Sequence, residues 1–244
     1  MRSKEINLKK GGVRLLNVYR EEKKFLINIE EFIARSHMLE QFMIQDEHNG
    51  ALGYKIRSLY FDTEYDEDFF GKLEGLELRR KIRLRIYDPS AKSAKLEMKQ
   101  KQGPYQLKRS LSITRDDAMR LTEGDYSPLL KYSEPFAAEC YALMRMQNYR
   151  PKTIVEYNRK AFIAKENKIR VTFDSNIIAT ETDMNLFSEN LNTYSVMDKF
   201  GVVLEVKFNG FLLGYIKDML GIVNKSETSV SKYMLARQAS YKTL

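Results

Sequence analysis

The sequence predicts an α+β fold: an antiparallel β-barrel with a charge-lined tunnel and flanking helices, formed by one domain of residues 1–244. Three observations predict it. Strand-length segments alternate apolar and polar residues along most of the chain. The polar side of one strand after another collects Lys and Arg. Amphipathic helices fall between the strands, and their apolar stripes need a sheet to cover.

Residues 1–19 read as a basic leader with no continuous apolar run, consistent with an unprocessed chain. "EEKKFLINI" (21–29) sets Phe25, Ile27 and Ile29 on one face of a strand and Glu22 and Lys24 on the other. Phe32, Ile33, Leu39, Phe42 and Met43 then recur at near-helical spacing through residues 30–44. "GYKIRSLYFDT" (53–63) is rich in the β-branched and aromatic residues that suit strands, and the acidic run over 64–76 predicts a short helix or turn. "LRRKIRLRIYD", "AKLEMKQK" and "YQLKRSLSI" make an antiparallel meander, with turn residues in "DPSAKSA" and "QGP".

Helices are expected over 115–124 and from Pro128 to Tyr149, the second with Leu129, Leu130, Phe136, Ala137 and Tyr141 as its buried stripe. "KTIVEYNRKAFI", "NKIRVTFDSNI" and "FGVVLEVKF" resume the strand period. A helix near "FLLGYIKDMLGI" and a last one from Ser231 close the chain. No Gly-, Pro- or Ser-rich linker and no repeat divides it.

Lys and Arg number 41 against 33 Asp and Glu, a net charge of +8, with a sequence pI near 9.3. Such a balance favours an anionic partner: nucleic acid, a phosphate compound or a membrane surface. The single cysteine, Cys140, lies in the apolar run "AAECYALMRM" and reads as a packed thiol, which fits a reducing cytoplasm. No segment approaches the ~20 apolar residues of a membrane span, so membrane association would run through a partner. His37 and His48 have no His or Cys at ligand spacing, which leaves zinc sites and His-based triads unsupported. Neither a phosphate-loop nor a dinucleotide fingerprint is present, so phosphate chemistry falls to side chains.

The polar strand faces carry Glu22 and Lys24, then Lys81, Arg83 and Arg85, then Lys95, Glu97 and Lys99. Lys108 follows beside Ser110 and Ser112, then Tyr157 with Arg159, Lys168 with Arg170, and Glu205 with Lys207. An open sheet with its charged side in water is the plain alternative. Like charges opposed on neighbouring strands repel, however, and an anionic ligand among them removes that cost. With polar faces inward and apolar faces outward under helices, the cations line a tunnel suited to a polyphosphate chain: Arg offers a bidentate fork and Lys a point charge. Glu205 or Glu22 then has a use, holding a divalent metal that bridges phosphate oxygens.

"EKKF", "SLYFDT", "KIRLRIY", "KLEMK", "LKRS", "EYNRKAF", "IRVTFD", "VLEVK" and "SVSKY" occur in that order from about Arg20 to Tyr233. In this the chain resembles the VTC domain, the polyphosphate polymerase branch of the CYTH-like triphosphate tunnel metalloenzymes. The resemblance implies the triphosphate tunnel fold, with Lys24, Arg83, Arg85, Lys99, Lys108, Arg159, Arg170, Lys207 and Lys232 as basic tunnel positions. It also implies Tyr157 and Ser231 as polar phosphate contacts and Glu205 as the ligand of Mn²⁺ or Mg²⁺. Glu97 is a weaker candidate for metal or for an ion pair, and Lys81 joins the set through its place in "KIRLRIY".

Two departures from the resemblance matter. The hydrolytic tunnel enzymes open on E-x-E-x-K, where this chain has Arg20, Glu22 and Lys24, which leans toward the polymerase branch. Ser229 stands where eukaryotic polymerases often carry a lysine. The expected activity is transfer of the γ-phosphoryl group of ATP to a growing polyphosphate. A metal-dependent tri- or polyphosphatase using Glu22 to orient water, and a non-catalytic polyanion binder, are the alternatives. Nucleic acid is not an expected partner, because an enclosed tunnel excludes a duplex and no recognition motif is present.

Overall fold

A computed structural model of the chain describes residues 2–5, 18–103 and 105–241, and most of the basic leader lies outside the described residues. The chain opens with strands β1 (Arg2–Glu5) and β2 (Val18–Asn28), helix α1 (Ile29–Phe42) and a short β3 (Ile44–Gln45). Next come β4 (Tyr54–Thr63), α2 (Glu67–Leu73), β5 (Leu78–Ile86), β6 (Ser93–Gln102) and β7 (Tyr105–Thr114). Helices α3 (Arg115–Thr122) and α4 (Pro135–Met146) precede β8 (Tyr149–Ile163) and β9 (Arg170–Thr180). A short β10 (Tyr194–Ser195), β11 (Gly201–Asn209), α5 (Gly214–Leu220) and α6 (Lys232–Tyr241) complete the fold.

The strands form one sheet in the order β10-β9-β11-β2-β1-β7-β6-β5-β4-β8-β3, and an additional β8–β9 pairing brings the order back on itself as a barrel. Its seam is β1, antiparallel to β2 over four residue pairs but joined to β7 by the single parallel pair Lys4 and Tyr105. Continuous ladders therefore run around the rest of the barrel and stop short of strict closure here.

Local chemistry explains the boundaries. Asn28 ends β2 and caps α1: its side chain accepts from the Glu31 N–H at 2.8 Å while Glu31 accepts from the Asn28 N–H. The helix expected from Pro128 to Tyr149 is interrupted. A 3-10 turn covers Ser127–Lys131 and α4 restarts at Pro135, because proline has no N–H to bond to the preceding turn and suits a first helical position. Leu129, Phe136, Ala137 and Cys140 of that segment are buried, whereas Leu130 is 57% exposed and Tyr141 only partly covered. Lys168 is not on a strand beside Arg170. It is exposed in the β8–β9 turn with φ +47°, a left-handed conformation that breaks strand alternation.

The outward faces of β4–β7 carry Leu59, Ile82, Leu84, Ile86, Leu96 and Leu111 into one apolar cluster, covered by residues of α3 and α4. Phe25, Val171, Phe173, Leu204 and Val206 form a second cluster with residues of α1 and α5. A third cluster contradicts a uniformly polar interior. Ile56, Val155, Tyr157 and Val203 have inward parity and pack on Tyr233, Met234 and Ala236 of α6. Asn176, at φ +49°, lies in a β-bulge where the β8–β9 register shifts, and the bulge brings Ile177 into the same cluster. Helix α6 thus fills part of the barrel interior. It is anchored by the Tyr233 hydroxyl, which donates to Asp62 at 2.6 Å, and by an Arg237–Glu181 ion pair at 3.0 Å.

Candidate anion-binding tunnel

Strand register assembles the charges. Lys81, Lys99 and Lys108 stand side by side across β5, β6 and β7, and the next inward row holds Arg83, Glu97 and Ser110. On the other side of the barrel Lys24 faces Glu205, Glu22 faces Lys207, and Arg159 faces Asp174.

Three carboxylate centres organise these cations. Glu97 binds Arg83 at 2.7 Å, Lys108 at 2.5 Å and Arg85 at 3.6 Å. Burial opposes its ionisation, but Arg83 and Arg85 overcome that and hold its carboxyl at about 2. Glu22 and Glu205 share Lys24, 2.8 and 3.4 Å away, and Lys207, which contacts Glu205 closely and lies 3.7 Å from Glu22. Lys99 is also 3.7 Å from Glu22. Burial and the Glu205 charge push the Glu22 carboxyl up, yet Lys24, Lys207 and Lys99 bring it down to about 2. Asp174, fully buried, receives two 2.7 Å bonds from Arg159 and one from Lys232. The Lys232 ammonium also sits 4.4 Å over the ring of Tyr157, a cation–π contact.

Lys81 donates to the Ser231 hydroxyl at 2.6 Å. Burial first, then Lys24, Lys99, Lys72 and Arg83, push its ammonium down to about 7. Burial, only partly offset by Glu22, brings Lys99 down to about 8. A cavity of about 370 Å³ opens beside them, lined by Glu22, Lys24, Lys72, Arg79, Lys81, Lys99, Lys101 and the 227–231 segment, a volume suited to a small anionic ligand. That segment is tied across β2: the Thr228 N–H donates to the Lys24 carbonyl and the Lys24 ammonium to the Val230 carbonyl.

The structure therefore brings Lys24, Lys81, Lys99, Lys207, Glu22, Glu205 and Ser231 together, with Arg159, Lys232 and Tyr157 around Asp174. Arg83, Arg85 and Lys108 gather on Glu97, which takes the ion-pair role rather than joining Glu22 and Glu205. Arg170 is turned away to Asp46, at 2.9 Å, and the Tyr54 hydroxyl, because the loop after β3 offers it a carboxylate of its own. Among the described residues no group of three or more His, Cys, Asp or Glu side chains forms a ready metal cage.

Sequence reading passed over Asp174, Lys72, Arg79 and Lys101. Asp174 shares the parity of Arg170 and Thr172, Arg79 that of Lys81, and Lys101 that of Lys99, so alternation carried a signal for these three. Lys72 is on α2, and only folding brings it to the cavity.

The barrel, its helical coat and its inward cations define a tunnel-fold protein of the triphosphate tunnel class. The chain belongs to the VTC domain family, whose profile matches residues 19–241. Among solved structures it is similar to a Hippeastrum protein, HpAC1, described as a candidate adenylyl cyclase with a dominant triphosphatase activity. The two share 14% identity at a TM-score of 0.52, over 89% of this chain and 95% of that one. A candidate adenylate cyclase of Bacillus halodurans aligns at 13% identity and a TM-score of 0.48, over 87% of this chain and 95% of that one. One from Vibrio parahaemolyticus aligns at 14% and 0.48, over 88% and 96%. No functionally curated protein matches the chain. Among the described residues, no helix is long and apolar enough to cross a membrane.

Proposed function

We propose that this VTC domain is a metal-dependent polyphosphate polymerase acting on ATP. The observation that carries the reading is the row Lys81, Lys99 and Lys108 beside a cavity that also takes Lys72 and Arg79. Like charges held in register repel, and a phosphate chain threaded among them relieves that repulsion.

Phosphoryl transfer needs positioning and charge stabilisation more than covalent participation by the protein. The bond from the γ-phosphorus to the β-phosphate oxygen breaks, a bond to the terminal oxygen of the chain forms, and ADP leaves. Arg83 and Arg85 grip the β and γ phosphates. Lys24 and Lys232 organise the reacting end, while Lys81, Lys99, Lys108, Arg159, Lys207, Tyr157 and Ser231 hold the remaining phosphates. The attacking oxygen is already ionised, so no general base is required.

Glu22 and Glu205 fit a divalent ion in donor type, since two hard carboxylates plus phosphate oxygens suit Mn²⁺ or Mg²⁺. Their oxygens are engaged by Lys24 and Lys207, ammonium groups standing where a cation is favoured. Such an ion would neutralise charge on the transferring group.

A hydrolytic reading has one supporting observation, the triphosphatase described for the Hippeastrum protein. Against it, Arg20 stands where the hydrolytic tunnel enzymes carry the first glutamate of E-x-E-x-K. Incubation with ATP and Mn²⁺, followed by gel and phosphorus NMR, separates the two: long chains support the polymerase, and orthophosphate alone rejects it. If wild-type protein turns nothing over while it and Glu205→Ala both bind polyphosphate tightly, the domain is a binder.

A further inference from the structure

We propose that His48, Tyr54 and Tyr87 form a stacking platform for the purine base of a nucleoside triphosphate. The proposal rests on the ATP-dependent reading above and assigns the organic end of that substrate.

The three rings meet at one place on the barrel. Ring centroids lie 5.7 Å apart for His48 and Tyr54, 6.2 Å for Tyr54 and Tyr87, and 6.5 Å for His48 and Tyr87. Their position continues the cation-lined wall. Tyr54 pairs in register with Arg159, and Tyr87 is the first residue after β5, two beyond Arg85. A triphosphate gripped by Arg83, Arg85 and Arg159 has its nucleoside end beside these rings.

Two of the rings are open yet held. Tyr87 is 46% exposed, and the His48 side chain 65%. The loop carrying His48 is pinned to β8: Asn49 exchanges two hydrogen bonds with the Ala161 backbone, and the Asp46 N–H donates to the Ala161 carbonyl at 3.0 Å. Asp46 fixes the His48 ring at 3.0 Å and also binds Arg170, which reaches the Tyr54 hydroxyl. Gly53, at φ +90°, sits so close to β8 that a Cβ would come within 2.2 Å of the Arg159 carbonyl oxygen. His48 and Tyr87 are exposed next to a phosphate grip and offer ring faces for base stacking, while Tyr54, partly buried on β4 against the cluster of Ile56 and Tyr157, backs them.

The test compares ATP with inorganic tripolyphosphate on the intact domain by calorimetry, using wild type, His48→Ala/Tyr87→Ala and Tyr87→Phe. The double variant is expected to bind ATP about tenfold more weakly or worse while tripolyphosphate affinity holds, and Tyr87→Phe is expected to keep ATP affinity. Unchanged ATP affinity in the double variant overturns the platform, as does an equal loss for both ligands. Wild-type protein that binds tripolyphosphate but gains nothing from the nucleoside also overturns it, while leaving the anion tunnel in place. Binding of neither ligand rejects the underlying functional reading instead.

Discussion

Glu205 and Lys24 are register partners across the β2–β11 ladder, and the Lys24 ammonium lies 3.4 Å from the Glu205 carboxylate. That carboxylate is 7% exposed and is held ionised by Lys207, Lys24, Arg159 and Lys232 against the cost of burial. A cation always accompanies it, whether lysine or, in the proposed turnover, a metal. Glu205→Gln is expected to lower turnover about 100-fold or more and to flatten its dependence on Mn²⁺ concentration, measured as product formed from ATP. A variant that keeps a normal metal response would remove Glu205 from the metal site.

The two faces of "KIRLRIY" should separate stability from binding. Leu84 is fully buried under the helical coat. Leu84→Ala is expected to cost about 2–5 kcal/mol in denaturant unfolding with polyphosphate affinity unchanged. Arg83→Ala should do the reverse, weakening polyphosphate about tenfold or more, because Glu97 keeps Arg85 and Lys108.

Glu97 serves as an internal anion for three cations. Glu97→Gln is expected to lower the melting temperature of the free protein by several degrees, as breaking a buried ion network does. Added polyphosphate should narrow the gap between variant and wild type, because it restores negative charge to the same cations. A gap that persists with ligand would show that Glu97 is purely structural. The Glu97 carboxyl is depressed from 4.5 to about 2. Its stabilising contribution is therefore full above pH about 4.5 and is lost as pH falls through about 2.

Lys81 should make binding proton-linked. Its folded-state value of about 7, against an ordinary 10.5, leaves it largely neutral at pH 8, and an incoming polyanion favours its charged form. Calorimetry at pH 8 in buffers of different ionisation enthalpy is expected to reveal proton uptake on binding tripolyphosphate, reduced in Lys81→Met. The folding linkage has the opposite sense. Between about 7 and 10.5 the unfolded chain binds the extra proton, so this group makes the protein more stable as pH rises through that window.

Much of the wall chemistry was legible because strand alternation is a local property. Lys81, Arg83 and Arg85 on one side, with Ile82, Leu84 and Ile86 on the other, required only a period of two, and the structure keeps that assignment. The same period failed at Lys168, where a left-handed turn ends the strand, and at Asn176, where a bulge resets the faces. It also missed that Ile56, Val155 and Val203 point inward, because their cover, α6, comes from the far end of the chain.

Local alternation was enough for the sign of the tunnel, its long strands and the apolar faces that turn away from it, since each follows from neighbours two residues apart, but not for the short strands β1, β3 and β10. Which cations are neutralised, and by what, came from the folded arrangement. Arg159 meets Asp174, Lys81 meets Ser231, and Arg170 leaves the group for Asp46. Those pairings join strands and loops as much as 150 positions apart. Coulombic partnership depends on distance in space, which local spacing does not encode and barrel register does.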